Sequence, residues 1–425
     1  MGVRHLANLR PRLGSLVSGL PPSYWFLWSG TVVNRLGGFV VPFLTLYLTG
    51  ERGVSPDQAA LVVSLFGAGS FASALVGGEL TDRLGRRPVM LMSFFAAPVA
   101  MTALGLSSSL PPVMVLTALL GFFTDLDRPA VSASIADLVP PEERPRAFGY
   151  LYWAINLGAA LAPLIAGLMA RHNYFLLFAG DALTTLAFGV IVMLRVPETQ
   201  PAHAVPAARS PLRRRIENLR KEPILLLFSG LAIVLGSIYA QGIVTLPLEM
   251  QLHGLAPSDY GMVAAVNGGL IVLVTLQLSK AAGRWPRFAA MGAAALLLGI
   301  GFGLTNWATS VPFFALTVVV WTLGEIVASS VAPTIISDLS PVDLRGLYQG
   351  VFGSAWGLSF LVGPLIGGAV FHQLGSGALW LGCLGLGTLL CLLYLVLGAA
   401  MKDHVGRTSA LGDSASEAAE SGEVA

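Results

Sequence analysis

The sequence has few charged residues, few cysteines and none of the common enzyme motifs. Asp, Glu, Lys and Arg make up 11% of its 425 residues, whereas soluble domains carry about 25%, so the chain cannot cover a water-facing surface. Its two cysteines, Cys383 and Cys391, provide neither a disulfide framework nor a zinc-ligand spacing. A phosphate-binding P-loop, a His-Glu-x-x-His motif and a nucleophile elbow are absent from the sequence. We therefore expect no enzyme, no metal and no cofactor.

Hydrophobic residues are abundant instead, at 55% of the chain, and they occur in long runs. Crossing ~30 Å of hydrocarbon takes about 20 apolar residues in a helix. The sequence contains twelve such runs, so it predicts an all-α integral membrane protein with twelve transmembrane helices. The predicted spans cover residues 23–48, 59–81, 88–108, 111–135, 146–170, 174–195, 223–250, 258–281, 286–306, 311–337, 345–371 and 376–399.

A polar segment rich in Pro, Ala and Arg divides the predicted spans into six and six. The C-terminal tail is rich in Ser, Ala and Glu, a composition typical of disorder. The predicted organisation is a cytoplasmic N-terminus 1–22, an N-terminal six-helix bundle 23–195, a cytoplasmic central loop 196–222, a C-terminal six-helix bundle 223–399 and a disordered cytoplasmic tail 400–425.

The basic residues indicate the orientation of these bundles in the membrane. Of 25 Lys and Arg residues, Arg52 and Arg171 lie in odd-numbered connections and Arg35 and Arg128 within spans. The other 21 lie in the N-terminus, the even-numbered connections and the tail, or at the span ends that adjoin them. Lys and Arg are concentrated on the cytoplasmic side of membrane proteins. We therefore predict a multi-pass protein of the cell membrane with both termini cytoplasmic, and no nucleic-acid partner.

An internal repeat relates the two bundles. A shift of 201 residues aligns Ile135–Gly167 with Ile336–Gly368 without gaps and pairs Asp137 with Asp338. Parallel repeats of six helices are related by an axis along the membrane normal in some transporters. The sequence therefore predicts that the two bundles are pseudo-symmetric.

The connection between spans 2 and 3 is a short, highly charged turn that reads G-x-L-x-D-R-x-G-R-R. It resembles the signature loop of the major facilitator superfamily of transporters, which lies between their second and third membrane helices. The resemblance implies the major facilitator fold and a loop that holds the two halves together on the cytoplasmic side; a positive-inside anchor is the alternative. A degenerate copy at 283–286 has Lys280 where an acid is expected. The motif residues are Gly78, Asp82, Arg83, Gly85, Arg86 and Arg87.

Span 5 is rich in Gly, Ala and Pro, and it resembles the antiporter motif of the drug-efflux branch of the superfamily. The core of that motif is G-P-x-x-G-G, and alanine replaces two of its glycines in span 5. The complete core occurs in span 11 instead. The resemblance implies a twelve-span drug:proton antiporter. The motif residues in the two spans are Gly158, Pro163, Gly167, Gly363 and Pro364.

Ionisable residues within spans are candidate functional groups, because they are costly there unless they are paired or reach water. Asp125 and Arg128 share one face of span 4, and they form either a structural ion pair or part of a substrate or proton site. Arg35 has no acid in its own span, so its partner must come from another helix or be an anionic substrate; we expect it to pair with Asp125, Asp127 or Asp181. Asp181, near the end of span 6, is interpreted as a group of the outer rim.

Glu325 lies in the middle of span 10 with no basic residue within a helical turn. Such a carboxyl group suits a proton carrier; the alternative is a protonated, structural glutamate. In the repeat register it matches Thr124, the neighbour of Asp125, so both carboxyl groups are predicted to face one central cavity and to couple proton movement. The other predicted cavity residues, some of which core packing would equally explain, are Asn34, Arg35, Arg128, Asn156, Tyr239, Gln241 and Trp356.

These features together predict a secondary transporter. The most specific prediction is proton-coupled efflux of hydrophobic small molecules by alternating access, with the proton gradient as the energy source. The expected partners are a small-molecule substrate, protons and the lipid bilayer, and we expect a monomer. A proton-coupled importer of a nutrient or metabolite is an alternative, and a non-transporting sensor or scaffold on the same fold is another.

Overall fold

The computed structural model describes residues 19–200, 223–340 and 345–422. Within these residues twelve helices are long and apolar enough to cross a membrane, which confirms the predicted number and order of spans. Most of the predicted N-terminus 1–22 and central loop 196–222 lies outside the described residues. Spans 1 to 12 are Pro22–Glu51, Pro56–Leu84, Arg86–Leu106, Leu110–Leu138, Arg146–Ala170, Phe175–Arg195, Pro223–Leu252, Pro257–Ala282, Arg287–Trp307, Val311–Leu339, Tyr348–Gln373 and Ser376–Ala400.

Proline and glycine determine several of the span boundaries. Pro22, Pro56 and Pro257 occupy one of the first two helical positions, where the missing N–H is not needed and the fixed φ suits a helix. Spans 2 and 3 are separated by Gly85 alone, whose φ of +97° is a conformation that glycine adopts without steric cost. A single glycine therefore makes the sharp turn between these two spans.

The predicted internal repeat is visible in the helix boundaries. Spans 2 and 8 begin at Pro56 and Pro257, which are 201 residues apart. Spans 4 and 10, Leu110–Leu138 and Val311–Leu339, begin and end with the same separation. The shift that aligns the two halves of the sequence thus also aligns these helices.

Spans 1 and 7 are each broken into pieces. A proline near the start of the second piece, Pro42 or Pro247, lacks the N–H that a continuous helix would use. The breaks leave backbone N–H groups free for side chains to bind. The pieces are Pro22–Leu36, Val40–Leu46 and the π-helical Tyr47–Glu51 in span 1, and Pro223–Val244 and Leu246–Leu252 in span 7.

The two most extensive contacts between the halves are span 2 with span 11 and span 5 with span 8; span 1 also touches span 7. Both contacts depend on glycines that lie directly against the backbone of the other half. Gly67 packs on Phe360 and Gly268 packs on Ala160, so closely that neither glycine has room for a Cβ. Small residues allow such close approach of membrane helices.

Among the described residues, contacts between the ends of the two halves lie at one end of the molecule. We call the end that carries the connection between spans 2 and 3 the loop end. There, a Cβ added to Gly78, Gly149, Gly350 or Gly353 would have no neighbouring atom within 4 Å. At the opposite end Gly368 packs against Ala60. Polar contacts across the opposite end are Thr49 Oγ1 to Gln251 Oε1 at 3.1 Å and Asp57 to His372 at 3.9 Å.

The C-terminal tail differs from its prediction. The sequence predicts disorder from residue 400, whereas the last helix extends over Ser376–Gly422. Ala, Leu and Glu in this segment have high helix propensity, and a helix that is already nucleated extends at little cost. Because span 12 supplies the nucleus, composition alone gives a misleading expectation here.

Candidate functional site

A cavity of about 570 Å³ lies between the two halves. Its first-half wall carries most of the charged and polar groups together with apolar side chains such as Phe66 and Phe94, whereas its second-half wall is largely apolar and aromatic, with one acid. A molecule in this main cavity would therefore meet most of the charged groups on one side, and aromatic rings on both. The polar wall includes Asn34, Arg35, Ser70, Thr124, Asp125, Arg128, Asp181 and Thr185, and the opposite wall includes Tyr239, Ile243, Glu325, Trp356 and Phe360.

Asp125 is a buried carboxylate of the polar wall with two partners. Arg128 approaches it from the next turn of span 4, with Nη2 2.8 Å from Oδ1. Ser70 of span 2 donates its hydroxyl to the other carboxylate oxygen. Arg128 is itself 62% exposed, so this ion pair connects a buried acid to a guanidinium group at the cavity surface.

Glu325 projects from span 10 into the same cavity, so the structure brings both predicted carboxyl groups together. Asn267 of span 8 donates Nδ2 to Glu325 Oε2 at 2.6 Å. Tyr239 of span 7 also interacts with this carboxyl group. Three spans of the second half thus converge on one acid, and among the described residues none of its hydrogen-bond or ion-pair partners is basic.

Aromatic rings cluster around Tyr239, which interacts with Glu325. The Tyr239 ring lies 5.7 Å from Trp321, 5.9 Å from Trp356 and 6.1 Å from Phe360, measured between ring centroids. Tyr239, Trp356 and Phe360 line the main cavity, whereas Trp321 is 5% exposed and lines a second, smaller space beside it. The internal aromatics therefore serve both as cavity wall and as core.

Asp181 is not an outer-rim residue, contrary to the interpretation from sequence. Its side chain is 5% exposed and lines the main cavity. Its Oδ2 accepts the backbone N–H groups of Phe39 and Val40, both at 3.1 Å. These N–H groups begin the second piece of span 1, so Asp181 caps a helix start inside the membrane. The break in span 1, which hydropathy does not reveal, is what places the acid there.

Arg35 also lines the main cavity, but the expected ion pair is not formed. Among the described residues, no carboxylate oxygen lies within 4.0 Å of its nitrogens. Its Nε is buried and has no hydrogen-bond partner, and the same is true of Asp127 Oδ1. Asp127 acts on Arg35 only through longer-range attraction.

The predicted polar residues of the cavity separate into two groups. Asn34 lines the main cavity and donates to Thr185 Oγ1 at 2.8 Å. Asn156 and Gln241 do not line it, because their amides bind backbone carbonyls: Asn156 bonds one turn back to Tyr152, and Gln241 donates to Gly363 of span 11 at 2.9 Å. The Gln241 bond thus connects span 7 to span 11, whereas the Asn156 bond stays within span 5. Neither side chain lines the main cavity.

The charged connection between spans 2 and 3 is held by residues of its own half. Arg86 Nε lies 3.1 Å from Asp137 Oδ2 at the end of span 4, and its Nη1 lies 3.9 Å from Asp82. Arg87 donates to the backbone carbonyl of Met193 at 2.6 Å. Arg86 is therefore the motif arginine that the structure places beside Asp82.

Arg83, another arginine of the motif, pairs with Glu79 on an exposed helix face. The second half contains an equivalent of the Arg86 pair: Arg287 forms an ion pair with Asp338. Both of its members lie 201 residues beyond Arg86 and Asp137. The structural counterpart of Arg86 is thus Arg287. The degenerate copy of the motif at 283–286, aligned by sequence, would instead pair Arg86 with Arg284.

Glu198, which follows span 6, is a member of this network that the sequence did not indicate. Its carboxylate accepts the backbone N–H groups of Arg86 at 3.0 Å and Arg87 at 3.1 Å, the first residues of span 3. A Cβ at Gly85 would lie 2.6 Å from Glu198 Oε2, so glycine is required for this approach. The contact joins positions too distant in sequence for any local pattern to reveal it.

Partial burial tends to raise the pKa of Glu198, but hydrogen bonds from the backbone N–H groups of Gln200, Arg86, Arg87 and Thr199 outweigh it and lower the pKa overall. The charged carboxylate is thus the form that the folded loop stabilises. Because the folded pKa lies below the ordinary value of 4.5, the stabilisation is complete above that value. It is lost as the pH falls through the lowered pKa.

Replacing Glu198 by Ala is expected to loosen the start of span 3, because it removes a helix cap worth about 1 kcal/mol. Hydrogen exchange at the amides of Arg86 and Arg87 measures this, and their exchange should accelerate severalfold. Glu79→Ala is the matched control, since Glu79 forms only an exposed pair and should leave both amides protected. Equal protection in the two variants would contradict the capping role.

The residues of the Gly/Pro motif lie where helices approach most closely. Pro163 and Pro364 are inside their helices, and each motif glycine packs against a neighbouring helix. Two of these contacts lie within a half, and one joins the two halves. They are Gly158 with Arg35 in span 1, Gly167 with Ser258 in span 8, and Gly363 with Ser237 in span 7.

Glu249 is a second acid that the sequence did not single out. It is 4% exposed, in the short second piece of span 7. Trp380 Nε1 donates to its Oε2 at 3.1 Å and His253 Nε2 lies 3.3 Å from its Oε1. Glu249 lines neither the main cavity nor the second, smaller space that adjoins it. Glu249 is therefore a useful comparison for Glu325.

Twelve spans in two related halves, joined at one end around a central polar cavity, define a membrane transporter. The family model of the Major Facilitator Superfamily matches residues 27–331 and 242–417. The chain belongs to this family, whose members are transporters and not enzymes.

Comparisons with individual proteins agree with this assignment. The uncharacterized MFS-type transporter YttB of Bacillus subtilis (strain 168) is 30% identical over 370 residues, which cover 86% of this chain and 92% of YttB. The multidrug resistance protein MdtH of Aeromonas hydrophila is 22% identical over 373 residues, 86% of this chain and 91% of MdtH. A crystal structure of a POT family transporter in complex with 5-aminolevulinic acid shares the fold, with a TM-score of 0.76 at 17% identity, covering 90% of this chain and 97% of that one.

Proposed function

We propose that this transporter exports hydrophobic small molecules in exchange for protons. The observation that carries the proposal is the position of Asp125 and Glu325, one from each half, on opposite walls of a single cavity. Carboxyl groups inside a membrane are the usual elements of proton relays. The similarity to MdtH, a multidrug resistance protein, supports export of this kind of substrate.

The distribution of basic residues supports a cytoplasmic location for the loop end, since 21 of 25 Lys and Arg residues lie on that side of the predicted map. With this orientation, the contacts between the halves at the opposite end favour a cavity that opens to the cytoplasm. A hydrophobic molecule enters there and rests between the aromatic wall and the polar wall.

Alternating access then requires the contacts at the opposite end to open and the loop end to close. The glycine-packed pairs of spans 2 and 11 and of spans 5 and 8 serve as the surfaces on which the halves turn. Protons taken up by Glu325 and Asp125 from the external side accompany the return of the empty transporter. Their release into the cytoplasm restores the state that binds substrate.

Inverted membrane vesicles that contain the protein test this proposal. With an acidic interior, they should accumulate a fluorescent hydrophobic dye, and collapsing the pH gradient should release it. Vesicles without the protein control for passive partitioning of the dye. Accumulation of the same dye in intact cells, together with no uptake by inverted vesicles, would identify an importer and refute the proposal.

A further inference from the structure

A second space of about 270 Å³ adjoins the main cavity, between spans 1, 5, 7, 8 and 10. We call it the annex. Arg35, Tyr239 and Ile243 line both spaces, so the annex is the continuation of the main cavity behind these side chains. Its remaining wall is mostly apolar and includes Gly158, Ala162 and Pro163 of span 5 and Ala264, Val318 and Trp321 of spans 8 and 10.

The charge of the annex is opposite in sign to that of the acids of the main cavity. Asp125, Asp181 and Glu325 line the main cavity, but no Asp or Glu is among the residues that line the annex. Arg35 is the one charged residue of its lining. An apolar space with a single positive charge favours a ligand that combines an apolar body with an anionic group.

Two buried hydrogen-bond donors of the annex wall have no acceptor. Arg35 Nε and Trp321 Nε1 are both buried and lack a hydrogen-bond partner among the described residues. Buried donors are nearly always satisfied by the protein, by water or by a ligand. These two atoms are enclosed by the protein, so a ligand would reach the Nη groups of Arg35. Among the described residues, no carboxylate lies within 4.0 Å of Arg35, and Asp127, Asp125 and Asp181 attract it only from a longer distance, so its charge is open to an anion from outside.

We propose that the annex binds organic anions. The anionic group of the ligand, such as a carboxylate, accepts hydrogen bonds from Arg35, and its apolar ring system lies between the span 5 backbone and Trp321. A dry cavity of about 150 Å³ can hold benzene, so 270 Å³ accommodates a body of one or two rings. This inference rests on the proposed function, because it names the substrate class of the same transport cavity.

A matched pair of probes tests the proposal by binding alone. We would measure the affinities of 2-naphthoate and of neutral 2-naphthamide for the purified protein by isothermal titration calorimetry. The wild type should prefer the acid about tenfold, the size of effect expected for a charge-assisted hydrogen bond. In Arg35→Gln this preference should vanish while the amide binds as before. Arg35→Lys, which retains the charge, should keep part of the preference.

Two further variants separate the annex from the main cavity. Ala264→Phe fills the annex and should weaken both probes by at least about tenfold, as expected for a lost ring site. Arg128→Gln removes the arginine that lines only the main cavity and should change both affinities by the same factor, so that the acid-to-amide ratio is retained. Loss of that ratio in Arg128→Gln but not in Arg35→Gln would assign the anion to the main cavity and overturn the proposal.

The wild-type measurement can overturn the proposal even if a variant does not fold. Less than a twofold preference for the acid in the wild type would overturn the proposal. Because binding is measured without a gradient, a failure here leaves proton-driven export intact. Conversely, selective binding of the acid by a protein that shows no ΔpH-driven transport would refute the export mechanism and not the annex.

Discussion

Replacing Glu325 by Gln is expected to abolish transport driven by a pH gradient, reducing dye uptake by inverted vesicles to the level of vesicles without the protein. Glutamine has the size of glutamate and can still accept the 2.6 Å hydrogen bond from Asn267, so the local structure is preserved. It cannot, however, take up or release a proton. The variant should therefore fold, bind substrate and equilibrate it downhill, without concentrating it.

Glu249→Gln is the matched control for this experiment. It is the same substitution in the same half, at a glutamate that is equally part of a span but lies outside both cavities. Glutamine can still accept the Trp380 hydrogen bond, so ΔpH-driven transport should remain. If Glu325→Gln retained a wild-type response to the gradient at an equal level of protein in the membrane, Glu325 would have no part in coupling.

The helical architecture could be predicted because its determinants are local. A long apolar run specifies a membrane span almost independently of its surroundings. The 201-residue repeat then relates the halves, and the same separation links the boundaries of spans 4 and 10 in the structure. The cavity positions of Asp125 and Glu325 followed from that register, because equivalent positions of related halves face the same axis.

The partners of the polar residues could not be predicted, because they depend on contacts between distant helices. Asp181 acquires its role only where the break in span 1 exposes two backbone N–H groups. Gln241 satisfies its amide on the carbonyl of Gly363, which composition cannot indicate. Glu198 likewise meets span 3 through a fold-dependent contact. In each case a polar side chain binds backbone that tertiary structure supplies.

The close packing of helices could not be predicted either, because the sequence does not show which glycine of a span lies against another helix. Span 8 contains adjacent glycines, Gly268 and Gly269, in one apolar run. The structure distinguishes them completely. A Cβ on Gly268 would collide with the backbone of Ala159 and Ala160 in span 5, whereas a Cβ on Gly269 would meet no atom within 4 Å.

Gly268→Leu is therefore expected to disrupt the contact between the halves. The atoms in the way are backbone atoms, which cannot rotate aside as a side chain would, so span 8 must move away from span 5. Overpacking of this kind costs typically 1–3 kcal/mol and occasionally more, and here it also separates surfaces on which the halves turn. We expect a markedly lower thermal unfolding temperature and loss of transport.

Gly269→Leu provides an unusually strict control for that variant. The two substitutions add the same side chain to the same helix one residue apart, so intrinsic helix propensity and hydrophobicity change equally. Only the available space differs. Gly269→Leu should retain wild-type stability and transport. Similar losses in both variants would mean that the damage arises from the helix itself, and the close packing of spans 5 and 8 would then not be what joins the two halves.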